Sequence, residues 1–404
     1  MIEVKSEGII LESSRNAFDD QAVLNPACVE IDGVTHMFYR GVRQGDMVSS
    51  IGYCQLVANK VVKRLDQPVL FPEYDYEKKG VEDPRIVFFN GIYYLFYTAY
   101  DGKNAIIAYA TSTDLINFVK HGVISPRITY AEVGKLLGCS RIGVREKYFL
   151  FESYIKDRQG ADILLWEKDA FIFPKKFNRP ESSGLASDGQ SHSQSHKPEG
   201  DGLASDRPQG HGLASDGQSH SQSHKPEGDG LASDSQSHNK FALVHRILPG
   251  IQVIYFDDFK DLTDDYWREY LRNLGSYILL ESKYRFESRN IGGGCPPIET
   301  KEGWLLIYHG VEDSRQGRIY HAAAALLDLD DPAKVIGRMK RPLFSPSQRW
   351  EKKGDVNNVV FPTGTVIKDG RLYIYYGAAD KRIAAKSVDM EELLKELKRN
   401  TVQR

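Results

Sequence analysis

One layout recurs along this chain: a proline, an apolar strand, a turn closing on glycine, and a second strand rich in tyrosine. It is spelled NPACVEIDGVTHMFYRG, DPRIVFFNGIYYLFYTA, CPPIETKEGWLLIYHG and FPTGTVIKDGRLYIYYGAAD. The pairs Asp32-Gly33, Asn90-Gly91 and Asp369-Gly370 are strong hairpin turns, and Glu302-Gly303 is a weaker version. DAFIFPKKFN and KFALVHRI read as a fifth hairpin with its tip interrupted, and SRIGVREKYFLFESY is a less regular sixth candidate. Repetition of one antiparallel unit points to an all-β chain folded as a β-propeller. Counting hairpins leaves five or six blades open. Each would be longer than the ~40–45 residues of a WD40 blade, so long loops are expected.

Residues 179–239 break the pattern. GLASDGQSHSQSHKPEGDGLASD occurs at 184–206 and again, unchanged, at 212–234, and the segment has no aromatic residue, valine or isoleucine. It cannot bury enough apolar surface to offset the entropy of ordering. A disordered low-complexity insertion is therefore expected, set in a hairpin tip where added length is tolerated. Six of the 11 histidines fall here, flanked by serine and glutamine with no ligand spacing. The chain then divides into one β-propeller catalytic domain (1–178 with 240–390), the insertion (179–239) and a C-terminal helix. That helix, SVDMEELLKELKRN (387–400), has Ser387 as its N-cap and Met390, Leu393, Leu394 and Leu397 on one face. DLTDDYWREYLRNL (261–274) reads as a second helix. Both are expected outside the sheets or against another subunit of a homo-oligomer.

Bulk properties narrow the partners. A net charge of −2 offers no polybasic face for nucleic acid. No run approaches the ~18 apolar residues of a membrane helix, and MIEVKSEGIILESS lacks the apolar stretch of a signal peptide. Cys28, Cys54, Cys139 and Cys295 are scattered and form no CxxC pair. That suits reduced thiols in the cytoplasm better than a disulfide framework or a zinc site. No HExxH, Asp-rich calcium loop or nucleotide-binding glycine loop is present, so no metal and no cofactor is expected.

The repeat also aligns polar residues. The residue before the first strand's proline is Asn25, Asp83, Cys295 or Phe361, and the residue after the second strand's tyrosine is Arg40, Thr98, His309 or Gly377. In a hairpin the start of one strand lies beside the end of the other. Asn25, Asp83, Arg40 and His309 are therefore expected around one mouth of the channel. Asp380 is close by, Arg246 ends its strand in the interrupted hairpin, and the 179–239 insertion belongs at the opposite face. Taken singly, Asp83 reads more readily as a structural turn opener than as a catalytic acid, and His309 equally as a satisfied core histidine. The functional reading is favoured because one carboxylate and several cations fall at equivalent ends of different repeats.

These motifs resemble glycoside hydrolase family 130, the mannoside phosphorylases and related mannosidases. The resemblance is carried by GVEDPR (80–85), HRI (245–247), IGGGCPPIETKEGWLLIYHG (291–310), LLDLDDPAKVIGR (326–338), GDVNNVVFPTG (354–364) and IYYGAAD (374–380). It runs from about Asn25 to the end, outside 179–239, and implies a five-bladed β-propeller. It implies Asp83 as proton donor, acting through the mannose 3-hydroxyl. Inorganic phosphate, the co-substrate, then attacks the anomeric carbon from the opposite face and gives α-mannose 1-phosphate and a shortened sugar. It further implies sugar binding at Asn25, Arg40 and Asp380, and phosphate binding at Lys168, Arg246, Asn290 and His309. Glu82 and Arg85 flank Asp83 and are assigned to the substrate site as its supports. Lys168 stands where the family more often has arginine, and Asn290 where phosphorylases usually carry lysine. Arg289 is adjacent, but neighbours on a strand point to opposite faces.

An inverting hydrolase needs a second carboxylate ~6.5–9.5 Å from its acid to activate water. A phosphorylase brings its own nucleophile and needs cations and donors to hold it. Phosphorolysis of β-1,2- or β-1,4-linked mannosides is thus favoured over two alternatives. One is an inverting β-mannosidase, for which Glu287 is the candidate base. The other is a non-catalytic carbohydrate-binding propeller, which would need no general acid.

Overall fold

The glycine turns set the strand register in the computed structural model, which describes residues 2–139, 143–179, 238–315 and 317–401. At Asp32-Gly33, Asn90-Gly91 and Asp369-Gly370 both residues take positive φ: 50° and 78°, 48° and 79°, 50° and 74°. That is the hairpin geometry whose twist matches the flanking strands, and Asn, Asp and Gly enter it with little strain.

Among the described residues the strands form five antiparallel meanders. The first strand, β1 (Val4–Leu11), does not pair with its neighbour in sequence. β2 (Ala22–Ile31), β3 (Val34–Val42), β4 (Ser49–Val57) and β5 (Lys60–Arg64) make one meander. β6 (Gly80–Phe89), β7 (Ile92–Tyr100), β8 (Ala105–Ser112) and β9 (Val119–Val123) make the next, and a single parallel bridge from Ser49 to Gly80 joins the two. In the third, β10 (Lys168–Ile172) and β11 (Phe177–Arg179) both pair with β12 (His238–Arg246), followed by β13 (Ile251–Phe256) and β14 (Ile278–Leu280). The fourth holds β15 (Asn290–Gly293), β16 (Ile298–Thr300), β17 (Gly303–Ser314), β18 (Gly317–Leu327) and β19 (Val335–Arg338). The fifth holds β20 (Val360–Lys368), β21 (Arg371–Ala378), β22 (Arg382–Asp389) and, beside β22, the returning β1. Arg179 pairs with His238 at the end of β12 remote from Arg246. Most of the expected 179–239 insertion lies outside the described residues.

The first two strands of every meander share one register. Leu24 stands opposite Arg40, Glu82 opposite Thr98, Lys168 opposite Arg246, Gly292 opposite His309 and Phe361 opposite Gly377. In the first three a bulge follows at once, and the bulged Asn25, Asp83 and Asp169 take φ of 50°, 52° and 60°. A bulge re-aims its side chain out of the ladder. Aligning on proline misplaces the last two meanders. The ladder sets Gly293 and Pro362, rather than Cys295 and Phe361, level with Asp83. In the fourth meander the prolines fall in the break between β15 and β16, and in the fifth the bulge comes one residue later.

Buried carboxylates tie each meander to the turn before it. Glu77 accepts from the Tyr97 hydroxyl at 2.7 Å and Lys120 at 2.7 Å. Glu287 accepts from Tyr308 and Arg338, both at 2.7 Å, and Glu351 from Tyr376 at 2.5 Å and Lys386 at 2.8 Å. Each of the three also accepts backbone N–H groups of its own turn. Asp19 does the same work with Tyr39 at 2.9 Å and Arg64 at 2.5 Å. In the third meander His245 replaces the tyrosine, between Glu167 and the Tyr270 hydroxyl. The tyrosine-rich second strands are thus partly polar anchors within the core.

Helices pack on the sheets. α1 (Tyr130–Gly138), α2 (Glu146–Gln159) and α3 (Asp264–Arg272) share one apolar cluster with the third meander, around Trp267, Tyr148 and Leu271. α2 occupies most of the expected sixth hairpin. Its buried residues Tyr148, Glu152 and Ile155 repeat at helical spacing, which the aromatic content of the segment obscures. A short α4 (Arg349–Lys352) precedes the fifth meander, and α5 (Met390–Arg399) ends the fold. Its cap is Asp389, not Ser387: Asp389 accepts from the Glu392 N–H, while Ser387 remains in β22 bonded to Glu7. Leu393, Leu394 and Leu397 are buried against the protein's own sheets, so this face is spent internally. No helix among the described residues is long and apolar enough to cross a membrane.

The carboxylate anchors yield a stability prediction. Glu287→Ala strips Arg338 and Tyr308 of their buried partner, and removing one member of such a pair costs about 3–5 kcal/mol. Urea unfolding is expected to show that loss. A change below about 1 kcal/mol would mean that the anchor does not hold the meander.

Candidate active site

The bulge that reverses the backbone at Asp83 aims its carboxylate at the neighbouring meander. Asn25 Nδ2 donates to Asp83 Oδ1 at 2.7 Å, and Arg40 Nη1 donates to the same oxygen at 3.3 Å. Arg40 Nη2 also donates to Glu82 Oε1 at 2.6 Å, and Ser49 Oγ accepts from Arg40 Nε at 2.9 Å, which fixes the guanidinium plane. Asn25 fits because residue 377 is glycine: a Cβ there would lie 2.3 Å from Asn25 Oδ1.

Two carboxyls in this cluster are driven apart. Burial works to raise Asp83, but Arg40, Lys168 and the Asn25 amide outweigh it and hold the group down at about 2. Asp380 goes the other way. Burial, reinforced by the charges of Asp83 and Asp355, overcomes Arg40 and raises it to about 6.

Two cavities flank the cluster. One, of about 480 Å³, is lined by Arg40, Glu82, Tyr100, Asp355 and Asp380 among others. The other, of about 400 Å³, is lined by Lys168, Arg246, Asn290, Trp166 and Tyr320, and by α2 through Phe151, Tyr154 and Arg158. Lys168 Nζ lies 3.8 Å from Glu82 Oε2, so the cavities adjoin beside Asp83. The first offers both donors and acceptors, as a sugar requires. Among the described residues the second is lined by cations and by no carboxylate, as an anion requires.

The model of glycoside hydrolase family 130, described as beta-1,4-mannooligosaccharide phosphorylase, matches residues 4–175 and 237–399. The chain belongs to that family. A 1,2-beta-oligomannan phosphorylase of Thermoanaerobacter sp. (strain X514) is 28% identical over 97% of this chain and 99% of the relative. A beta-1,4-mannooligosaccharide phosphorylase of Ruminococcus albus is 40% identical, over 32% of this chain and 37% of its own length. In fold, the beta-1,2-mannobiose phosphorylase of Listeria innocua, solved with beta-1,2-mannobiose, aligns at a TM-score of 0.61 and 19% identity over 98% of this chain and 99% of that one.

Within this family 130 site the expected residues divide. Arg40, Glu82 and Asp380 line the first cavity, and Lys168, Arg246 and Asn290 the second. Asp83 joins them, with 9% of its side chain open. Arg85, assigned to the substrate site as a support of Asp83, lines neither cavity. It is fully buried and donates to the carbonyls of Gly294 and Gly293, and to those of Asp83 and Pro84 at 3.1 Å. It pairs with Asp169 at 3.6 Å, while Glu82 takes Arg40. His309 is also fully buried, and burial lowers it to about 3, so it contributes no charge at neutral pH. Glu287 is spent on Tyr308, Arg338 and two backbone N–H groups, which leaves it no capacity to act as a base.

One feature escaped the sequence and one was set aside. Asp169 is buried between Arg246 at 3.1 Å, Arg85 at 3.6 Å and His309 at 4.0 Å. Laying KDAF on EDPR residue by residue would have found it, since it holds the bulge position of Asp83. Arg289 is the second. It precedes β15, so strand alternation does not bind it, and it enters the same cavity as Asn290.

Asp380 provides a prediction with a definite sign. It retains its proton to about 6 in the fold but only to about 3.8 when unfolded. Between these values the folded state binds more protons, so stability falls as pH rises. Asp380→Asn is expected to melt a few degrees above the parent at pH 7–8, with the difference closing below pH 4. Calorimetry across pH checks this, and a variant less stable than the parent at pH 8 contradicts it.

Proposed function

We propose that this protein is an inverting phosphorylase of β-mannosides, working at one mouth of a five-bladed β-propeller. The blades are the five meanders, a reading supported by their common register and by β1 returning to pair with β22. One observation carries the functional reading: a single acid, Asp83, stands where a mixed polar cavity meets a cationic one. The mannosyl unit occupies the first cavity, held by Arg40, Asp380 and Asn25. Phosphate occupies the second, held by Lys168, Arg246 and Asn290, with His309 as a neutral neighbour behind them. Phosphate attacks the anomeric carbon from the face opposite Asp83, while Asp83 delivers a proton through the sugar's hydroxyl to the departing oxygen. The products are α-mannose 1-phosphate and a shortened sugar.

Asp83 is ionised in the free protein, and Lys168 is one of the charges that keep it so. A phosphate dianion on Lys168 cancels that influence and raises Asp83 toward the range where a general acid works. The acid is thereby armed when the nucleophile is in place. In the cationic cavity water has no equivalent helper among the described residues. Asp169 is clamped by Arg246 and Arg85, and Glu287 is committed to its anchor.

A family 130 glycoside hydrolase that targets beta-1,2 mannosidic linkages in Candida mannan aligns at a TM-score of 0.60 and 20% identity, so fold alone does not choose the nucleophile. The relatives that span the whole chain favour the β-1,2 linkage. They are the oligomannan phosphorylase above and a beta-1,2-mannobiose phosphorylase, also of Thermoanaerobacter sp. (strain X514), at 27% identity. The four free thiols suit the cytoplasm.

Incubation with β-1,2- and β-1,4-mannobiose, with and without phosphate, tests this. Mannose 1-phosphate is expected only with phosphate, and Asp83→Asn is expected to lower turnover about 10³-fold while sugar binding persists. Equal mannose release without phosphate would refute phosphorolysis, and an active Asp83→Asn variant would refute the assigned acid.

A further inference from the structure

A carboxylate stands behind the cationic cavity without lining it. Asp169 follows Lys168 in β10, and its side chain is 1% exposed. It takes the bulge slot that Asp83 takes one meander earlier, with φ of 60° against 52°. Asp83 keeps 9% of its side chain open, whereas Asp169 turns fully inward. A buried carboxylate beside an anion site works against the anion unless its charge serves another group.

That group is Arg246. Asp169 Oδ2 lies 3.1 Å from Arg246 Nε, and among the described residues Asp169 is the only ion-pair partner of Arg246. Contact through Nε leaves the Nη end of the guanidinium to the cavity that Arg246 lines. An untethered arginine has many rotamers to choose from. Here it would also be repelled by Lys168, Arg158, Arg289 and Arg318, which line the same cavity. Asp169 is itself fixed. Its Oδ1 lies 3.6 Å from Arg85 Nη2, and Arg85 is immobilised by the carbonyls of Gly293, Gly294, Asp83 and Pro84. Glycine at 292 makes room, since a Cβ there would overlap both the Asp169 carboxylate and the His309 ring. Arg85 thus ties the backbone of the acid to the support of the phosphate cavity.

We propose that Asp169 is the positioning residue of the phosphate site. It holds Arg246 by Nε so that the Nη groups meet the attacking phosphate. The identity of the anion rests on the phosphorolysis reading. The tether rests on the buried contacts of Asp169. A guanidinium suits this arrangement because one edge can be spent on a support while the rest of the fork stays free for an oxyanion, which a lysine ammonium cannot do.

Asp169→Asn keeps the shape of the side chain and removes its charge. It is expected to raise the KM for inorganic phosphate about ten-fold, with the KM for β-1,2-mannobiose within about two-fold of the parent. Arg246→Lys keeps the cavity's charge but has no Nε, and is expected to raise the phosphate KM comparably. Because Asp169 acts through Arg246, adding Asp169→Asn to Arg246→Lys is expected to change that KM less than about two-fold further. A parental phosphate KM in Asp169→Asn overturns the proposal. So do effects that multiply in the double variant, or an equal rise in both KM values, since Asp169 then serves the fold at large. Nitrogen NMR of the unsubstituted protein gives a reading that needs no variant of Asp169. The Arg246 Nε–H, assigned by its loss in Arg246→Lys, is expected to be protected from solvent exchange with and without phosphate, and free exchange overturns the tether. Calorimetry of phosphate binding without mannoside separates this proposal from the reading beneath it. Binding weakened about ten-fold in Asp169→Asn supports the tether even if no mannoside is phosphorolysed. Equal binding by variant and parent, or none by the parent, overturns it even if phosphorolysis is confirmed.

Discussion

A buried carboxylate shared by a tyrosine hydroxyl and a cation is the constraint from which the rest of this structure follows. It occurs at Asp19, Glu77, Glu287 and Glu351, with a histidine version at His245. Each carboxylate anchor joins two strands and the turn leading into them, so it fixes both the register and the depth of its meander. The residue after each anchored ring is then carried to the same level: Arg40, Thr98, Arg246, His309 and Gly377. The polar ring of the site is thus a geometric consequence of anchors in the core. These buried charges are costly to desolvate and do not maximise stability. Their effect is to allow only one alignment of otherwise similar sheets.

The site varies that constant frame at two positions per meander. Opposite the ring lie the bulge residues, and three of them are short polar side chains, Asn25, Asp83 and Asp169. Positive φ at these residues is a strained conformation, most tolerable for Asn and Asp. The gain is a short polar side chain turned out of the ladder. Close packing of bulge against ring explains two glycines. A Cβ at Gly377 would collide with Asn25, and one at Gly292 would lie 2.5 Å from Asp169 Oδ2. Asp380 also costs stability at neutral pH, since burial and then the charges of Asp83 and Asp355 oppose its ionisation.

Much of this was legible in the sequence because the signals were local. The Asp-Gly and Asn-Gly turns have one favoured geometry, and the hairpins they close set Asn25 near Arg40 and Asp83 near Thr98 without tertiary information. Asp169 was hidden because its hairpin carries no proline after the acid and its tip is interrupted by 179–239. The depth of Arg85 and His309 was hidden for another reason. Residue type and position along a strand do not reveal whether a side chain turns toward the cavity or inward, and both turn inward. The helix at Glu146–Gln159 was read as strand because four aromatics in nine residues mimic strand composition. That misreading concealed the wall that supplies Phe151, Tyr154 and Arg158.

The account depends on phosphate approaching the anomeric carbon from the face opposite Asp83 in a single displacement. The anomeric configuration of the first-formed product tests this most directly. Following β-1,2-mannobiose and phosphate by proton and phosphorus NMR through the early turnovers is predicted to show α-mannose 1-phosphate alone as the phosphorylated sugar. Early β-mannose 1-phosphate, or free mannose in excess of the one equivalent released as leaving group, would contradict it.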